Sequence, residues 1–172
     1  MTMYRNRYRV ETTRLAGWDY SSHGYYFVTI CTEGKQCSFG DVVDAAMVLS
    51  DLGRAAHDCW AAIPDHFPAV TLDEAVVMPN HVHGIVIIRP HEGPAQSSAF
   101  GPQARNLASI VRGYKIGVKK YAREHGLPFE WQPRFYEHVI RNGRSLGKIR
   151  NYIVTNPARW EFDEYNVPSR AL

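Results

Sequence analysis

The 172-residue chain lacks any long apolar run, and no stretch reaches the roughly 18 residues that a membrane span requires. Residues 1–14 also lack an apolar centre. They carry Arg5, Arg7, Arg9 and Arg14, so no secretory leader is expected. Cysteine is scarce: Cys31, Cys37 and Cys59 are odd in number and widely spaced. That pattern argues against a disulfide framework and a paired-cysteine metal site, and the thiols read as small core residues in a reducing cytoplasm. Acid is missing from 104–123, which holds Arg105, Arg112, Lys115, Lys119, Lys120 and Arg123. It is nearly missing from 131–150, where Arg134, Arg141, Arg144, Lys148 and Arg150 face Glu137 alone. Acids gather elsewhere, at Asp41, Asp44, Asp51, Asp58, Asp65, Asp73, Glu74 and Glu161 to Glu164. The net charge of +3 conceals this segregation, which favours a polyanion, nucleic acid above all, over a set of solvated helix faces.

What is present is most concentrated at Met78-Pro79-Asn80-His81-Val82-His83-Gly84, followed by the β-branched run Ile85 to Ile88. The run reads as a buried strand. Successive strand side chains point to opposite faces, so His81 and His83 share one face and Val82 takes the other. Two neutral imidazoles so placed can chelate one metal ion, held more rigidly on a sheet than on a loop. The structural alternative is a hydrogen-bonded histidine pair, and for a bare His-x-His that alternative is the commoner outcome.

The length suits one domain, 1–172, with a basic N-terminal arm (1–14) and a Pro/Gly/Ser-rich connector (90–104) expected to be mobile. Gly24 to Thr32 predicts a central strand. Residues 37–50 predict a short hairpin, Cys37-Ser38-Phe39-Gly40 pairing with Met47-Val48-Leu49 through Asp41 to Ala46. Ser50 or Asp51 caps a helix with Leu52, Ala55, Ala56, Cys59, Trp60 and Ile63 inward. Val70 to Met78 and the histidine strand, 81–89, form an antiparallel pair across Pro79-Asn80. Leu107, Ile110, Val111, Tyr114, Val118 and Tyr121 recur at helical spacing, and Gly126 ends that helix. Residues 135–142 predict another strand. A last helix begins at Ser145, turns Leu146, Ile149 and Ile153 inward, and stops at Pro157. The order predicts an α+β fold with helices over an antiparallel sheet.

That last helix carries Tyr152 and Asn156, four apart and therefore on one face. A free phenol, with a pKa near 10, is a poor nucleophile, but a nearby divalent cation polarises a phosphoryl group and favours phenolate. Spacing alone prefers the plainer reading, in which Tyr152 is a core-edge aromatic and Asn156 a helix cap. Tyr114 and Tyr121 compete as nucleophiles but fit core packing better. Tyr136 reads as structural or as a base-stacking platform.

Taken together, Val77-Met78-Pro79-Asn80-His81-Val82-His83, Trp131-Gln132-Pro133-Arg134-Phe135-Tyr136-Glu137-His138-Val139-Ile140-Arg141-Asn142 and Tyr152-Ile153-Val154-Thr155-Asn156-Pro157 resemble the single-tyrosine HUH transposases, and most of all their REP-associated tyrosine transposase branch. The opening Tyr20 to Thr29 resembles that branch as well, so the similarity spans about Arg14 to Trp160. The resemblance implies a ferredoxin-like fold and metal-dependent cleavage and strand transfer of single-stranded DNA beside a hairpin. It implies Mg²⁺ or Mn²⁺ on His81 and His83, with Asn156 where relatives carry a third polar ligand, and Tyr152 as the nucleophile. The DNA would then be gripped by Arg5, Arg7 and Arg9 of the arm together with Arg112, Lys115, Lys119, Lys120, Arg134 and Arg141. The rival is a domesticated hairpin-binding protein without cleavage. A histidine-based phosphodiesterase is a third reading, for which no further motif is found. Relatives include monomers and dimers, and the connector shows no dimerising face, which tilts the expectation to a monomer.

Overall fold

A computed structural model describes residues 17–20, 22–90 and 106–166, with the backbone of two short paired strands, β1 (Met3–Tyr4) and β2 (Arg7–Tyr8). Arg5 and Arg9, the side chain of Arg7, and the connector beyond Pro90 lie outside the described residues.

Four strands form the main sheet: β3 (Gly24–Cys31), β6 (Val70–Val77), β7 (His81–Ile88) and β8 (Tyr136–Ile140). Their spatial order is β6-β7-β3-β8, with every neighbour antiparallel. The helices are α1 (Asp51–Ala61), the single turn α2 (Ile63–His66), α3 (Leu107–Glu124) and α4 (Gly143–Thr155). The run β3-α1-β6-β7-α3-β8, in that spatial order, is the ferredoxin-like βαββαβ arrangement. The α+β expectation is met.

The sheet is buried on both faces. On one, Tyr26, Val28, Ile30, Val82 and Val86 join Trp60 of α1 and Leu107, Ile110, Tyr114 and Val118 of α3 in the larger core. On the other, Phe27, Ile85 and Ile140 pack with Ile153 of α4. Double burial explains why β7 reads as a continuous apolar run rather than an alternating one. Gly84 follows from the same packing. A Cβ there would lie 2.2 Å from Trp60 Cζ2, so the indole occupies the space a side chain would need.

Three boundaries differ from the sequence reading. The helix expected to carry Ile63 stops at Ala61, and Ile63 opens the separate turn α2. The hairpin pairs β4 (Gly40–Val43) with β5 (Ala46–Leu49), so its first strand starts where 37–40 was expected to end. Phe39 is instead a buried core residue whose N–H donates to Pro79 O at 3.0 Å. The turn is Asp44-Ala45, both at positive φ (49° and 61°), a conformation usually signalled by Asn-Gly. Helix α4 begins at Gly143, not Ser145. Asn142 caps it, its Oδ1 accepting from Ser145 N at 2.8 Å. Ser50 caps α1 as expected, accepting from Gly53 N at 3.0 Å. Among the described residues no helix is long and apolar enough to cross a membrane.

Candidate metal and nucleophile site

The turn between β6 and β7 is pinned from three sides. Met78 N donates to His81 O at 2.8 Å, Phe39 N to Pro79 O, and Thr32 N to Asn80 O at 2.9 Å. Register then sets the faces. His83 lies opposite Thr29 and His81 opposite Cys31, so the two imidazoles project from the α4 side of the sheet.

Both rings are buried and each is fixed through Nδ1. His81 Nδ1 donates to Asn80 Oδ1 at 2.8 Å, which leaves Nε2 as the unprotonated nitrogen. His83 Nδ1 meets Thr29 Oγ1 at 2.9 Å. The two Nε2 atoms converge to 3.0 Å. Burial, and then the Lys35 ammonium, hold His81 down to about 3. Burial, and then His81, hold His83 well below its ordinary value, with Asp163 opposing. Both rings therefore stay neutral at pH 7.

The Asp163 carboxylate completes the cluster. Its oxygen and the two imidazole nitrogens all lie within 4.8 Å of one another. It arrives from beyond α4: Pro157 ends the helix, a 3₁₀ turn over Pro157–Phe162 folds the chain back, and Asp163 follows. Asn156 Nδ2 donates to Asp163 Oδ2 at 3.1 Å, and Tyr165 N donates to Asp163 Oδ1 at 2.7 Å. Asn156 is buried, and its own Oδ1 has no hydrogen-bond partner.

This donor set fits a divalent cation. Two nitrogens each about 2.1 Å from one ion and at right angles lie about 3.0 Å apart, the separation observed. Nδ1–H held by Asn80 is the outer-shell bond typical of a ligating histidine. The orphaned Asn156 oxygen is a further donor available to the site.

Tyr152 lies beside this cluster. Its hydroxyl is 3.2 Å from His83 Nε2, and its ring stands edge-on to Phe27. Burial pushes the phenol above its ordinary value. Asp163 and Glu164 push it the same way, and the Asn156 amide opposes them. Tyr165 roofs the site, its ring 4.5 Å from that of His81 and with the Lys35 ammonium 4.8 Å from its centroid. Asn80 Nδ2 holds the Tyr165 carbonyl at 2.8 Å.

The structure therefore brings together His81, His83, Tyr152 and Asn156, and adds Asp163 and Tyr165. Neither addition carries a motif signal in the sequence, where Asp163 is one residue of the acidic run 161–164. His138 pairs with Phe27 and so shares the histidine face, but it is exposed. Tyr114 is buried on the opposite face of the sheet, and Tyr121 stacks on His125.

The basic residues are more dispersed. Lys115 Nζ donates to the carbonyls of Gln132 (2.8 Å) and Arg134 (2.7 Å). Lys119 pairs with Glu130 at 2.7 Å, and Lys120 lies 3.9 Å from Glu124. All three are on α3, across the sheet from the histidines. Arg112 and Arg134 line one groove of about 470 Å³ between α3 and residues 130–135. Arg141 lies over Trp18 and lines a second groove, about 490 Å³, with Tyr136 and His138.

Comparison with known proteins bears on this arrangement. No family model matches the chain. An uncharacterized Haemophilus influenzae protein is 43% identical over 167 residues, covering 91% of this chain and 93% of its own. A second protein of that organism, provisionally assigned as a REP-associated tyrosine transposase, is 26% identical over 149 residues, covering 85% of this chain and 77% of its own. The Escherichia coli REP-associated tyrosine transposase is 31% identical over 84 residues, 49% of this chain and 42% of that protein. The named relatives are REP-associated tyrosine transposases, and this chain is similar to them at modest identity. The structure of such a transposase bound to a REP hairpin superposes with a TM-score of 0.59 at 22% identity, covering 95% of this chain and 77% of that one, and it has the same fold.

Proposed function

We propose that this chain is a REP-associated tyrosine transposase, a metal-dependent DNA strand transferase acting on single-stranded DNA next to a hairpin. The observation that carries the reading is the Tyr152 hydroxyl, 3.2 Å from an imidazole nitrogen that belongs to a His-His-carboxylate cluster. Similarity to REP-associated tyrosine transposases and the hairpin bound by the structural neighbour support the choice of substrate.

His81, His83 and Asp163 would hold a divalent ion, Mg²⁺ or Mn²⁺. Bound there, it would neutralise and polarise a scissile phosphate. Imidazoles are unusual partners for Mg²⁺, so Mn²⁺ suits this set better. The protein's own groups do the rest. Asn156 aims the Asp163 carboxylate, Asn80 fixes the His81 tautomer, and Thr29 holds the His83 ring through Nδ1. Tyr152 Oη attacks phosphorus. The bond to the 3′-oxygen breaks, the phenol loses its proton and the departing oxygen gains one. The 5′ end remains as a phosphotyrosine, and a second 3′-hydroxyl reverses the step and joins strands without ATP. Without a cation the site works against this, because burial and the two carboxylates keep the phenol protonated.

The test is a labelled hairpin oligonucleotide with Mn²⁺, run on a denaturing gel. Wild type is expected to form a covalent adduct, and Tyr152→Phe to form none while retaining hairpin binding on a native gel. Binding without adduct in the wild type would make the chain a hairpin binder, and released product without adduct would make it a hydrolase.

A further inference from the structure

Strand β6 carries one irregularity. Leu72 pairs with Val86 and Ala75 with Gly84, so Asp73 and Glu74 together face the single residue Ile85. This is a β-bulge, which bends a strand and re-aims a side chain. Asp73 receives both arms of the Arg150 guanidinium: Nε on Oδ1 at 2.9 Å and NH2 on Oδ2 at 2.5 Å. The pairing is bidentate, the strong and directional form. The Asp73 side chain is 10% exposed, unlike those of the other ion pairs formed among the described residues.

Arg150 is on α4. At 100° per residue, Ile149 and Ile153 mark the helix's buried stripe. Arg150 borders that stripe on one side and Tyr152 on the other. One edge of α4 is thus tied to β6, and the opposite edge presents the phenol to His83. Resting on the reading of Tyr152 as nucleophile, we propose that the Asp73–Arg150 pair is a positioning device that sets the rotation of α4 about its axis and so the placement of the Tyr152 hydroxyl. A helix with side chains has a radius of about 6 Å, so a rotation of about 20° moves a group at its surface by about 2 Å. A misplacement of about 1 Å at a reacting atom costs about 10²-fold in rate. Arg150 beside it also holds the Asp73 carboxyl below its usual range, so the pair stays charged at neutral pH.

The experiment compares wild type with Asp73→Asn, Arg150→Lys, the charge-swapped double variant Asp73→Arg/Arg150→Asp, and Glu74→Gln as a neighbouring-carboxylate control. Three quantities are read: the single-turnover rate of adduct formation at saturating hairpin DNA, the Kd for that DNA, and the NMR contacts of the Tyr152 ring with His83 in metal-free protein. Asp73→Asn and Arg150→Lys are expected to slow adduct formation 10- to 100-fold with Kd within about twofold and the ring contacts weakened. Glu74→Gln should change none of the three, and the swap should recover part of the rate. Unchanged rate and ring contacts in both single variants would overturn the proposal. So would a rate loss with the contacts intact. If wild type makes no adduct while the contacts still move, the nucleophile assignment fails and the clamp stands.

Discussion

His81 takes up a proton only near pH 3 in the folded protein, against about 6.5 for a free imidazole, because burial penalises the cation. His83 is shifted the same way. A histidine with a depressed folded pKa stabilises the fold fully above about 6.5 and progressively less as pH falls toward its folded value. Each such group contributes up to about 1.4 kcal/mol per pH unit. Metal-free protein in chelator should therefore lose several kcal/mol between pH 6.5 and 4.5, seen as a fall in Tm by calorimetry. A flat Tm over that range would mean that the rings are not held neutral. Asp163 is a second residue-scale case. Asp163→Asn should weaken Mn²⁺ binding about 10²-fold by titration calorimetry, and Asn156→Ala, which removes the amide aiming that carboxylate, about 10-fold. Equal affinities for Asp163→Asn and wild type would remove the carboxylate from the ligand set. The histidines could be paired from the sequence because strand parity is local. Asp163 could not, because it reaches them only after Pro157 turns the chain back. The sequence places a third ligand on the helix at Asn156; its Nδ2 donates to the Asp163 carboxylate, and its Oδ1 has no hydrogen-bond partner.

At the scale of elements, the histidine strand depends on what lies behind it. The face of β7 away from the site packs on α1, and Trp60 crosses the strand where Gly84 has no side chain. Gly84→Ala should destabilise the protein by about 1–3 kcal/mol through overpacking, measured by urea unfolding. If its stability matches wild type, the indole moves freely and β7 is not braced there. Elements defined by apolar periodicity were readable beforehand: β3, β6, β7, α1 and α3 lie where their side chains put them. The differences came from backbone features without a strong residue signature. Asp44-Ala45 makes a turn usually marked by Asn-Gly, and Asn142 caps α4 ahead of Ser145, where the sequence starts the helix. The bulge at Asp73-Glu74 had no signal either, since two acids in a strand read as solvent-facing residues.

At the scale of the molecule, basic residues that look equivalent in sequence divide by what they touch. Lys115 is committed to two backbone carbonyls and to the Trp131 ring, and Lys119 to Glu130. Arg112, Arg134 and Arg141 have no carboxylate partner among the described residues, and they line the two grooves at α3 and β8. Hairpin binding, if it follows the proposed function, should draw on these arginines. Each phosphate neutralised contributes about −0.9 to the slope of log K against log salt, so three give a slope of about −3. Alanine at Arg112, Arg134 or Arg141 should each flatten the slope by about 1. Alanine at Lys119 should leave it nearly unchanged, because the lysine already holds a carboxylate and its removal also frees Glu130. A slope that falls equally for Lys119 and for the arginines would show that the Glu130 pair opens on binding, and that charge density rather than pairing selects the DNA-facing residues.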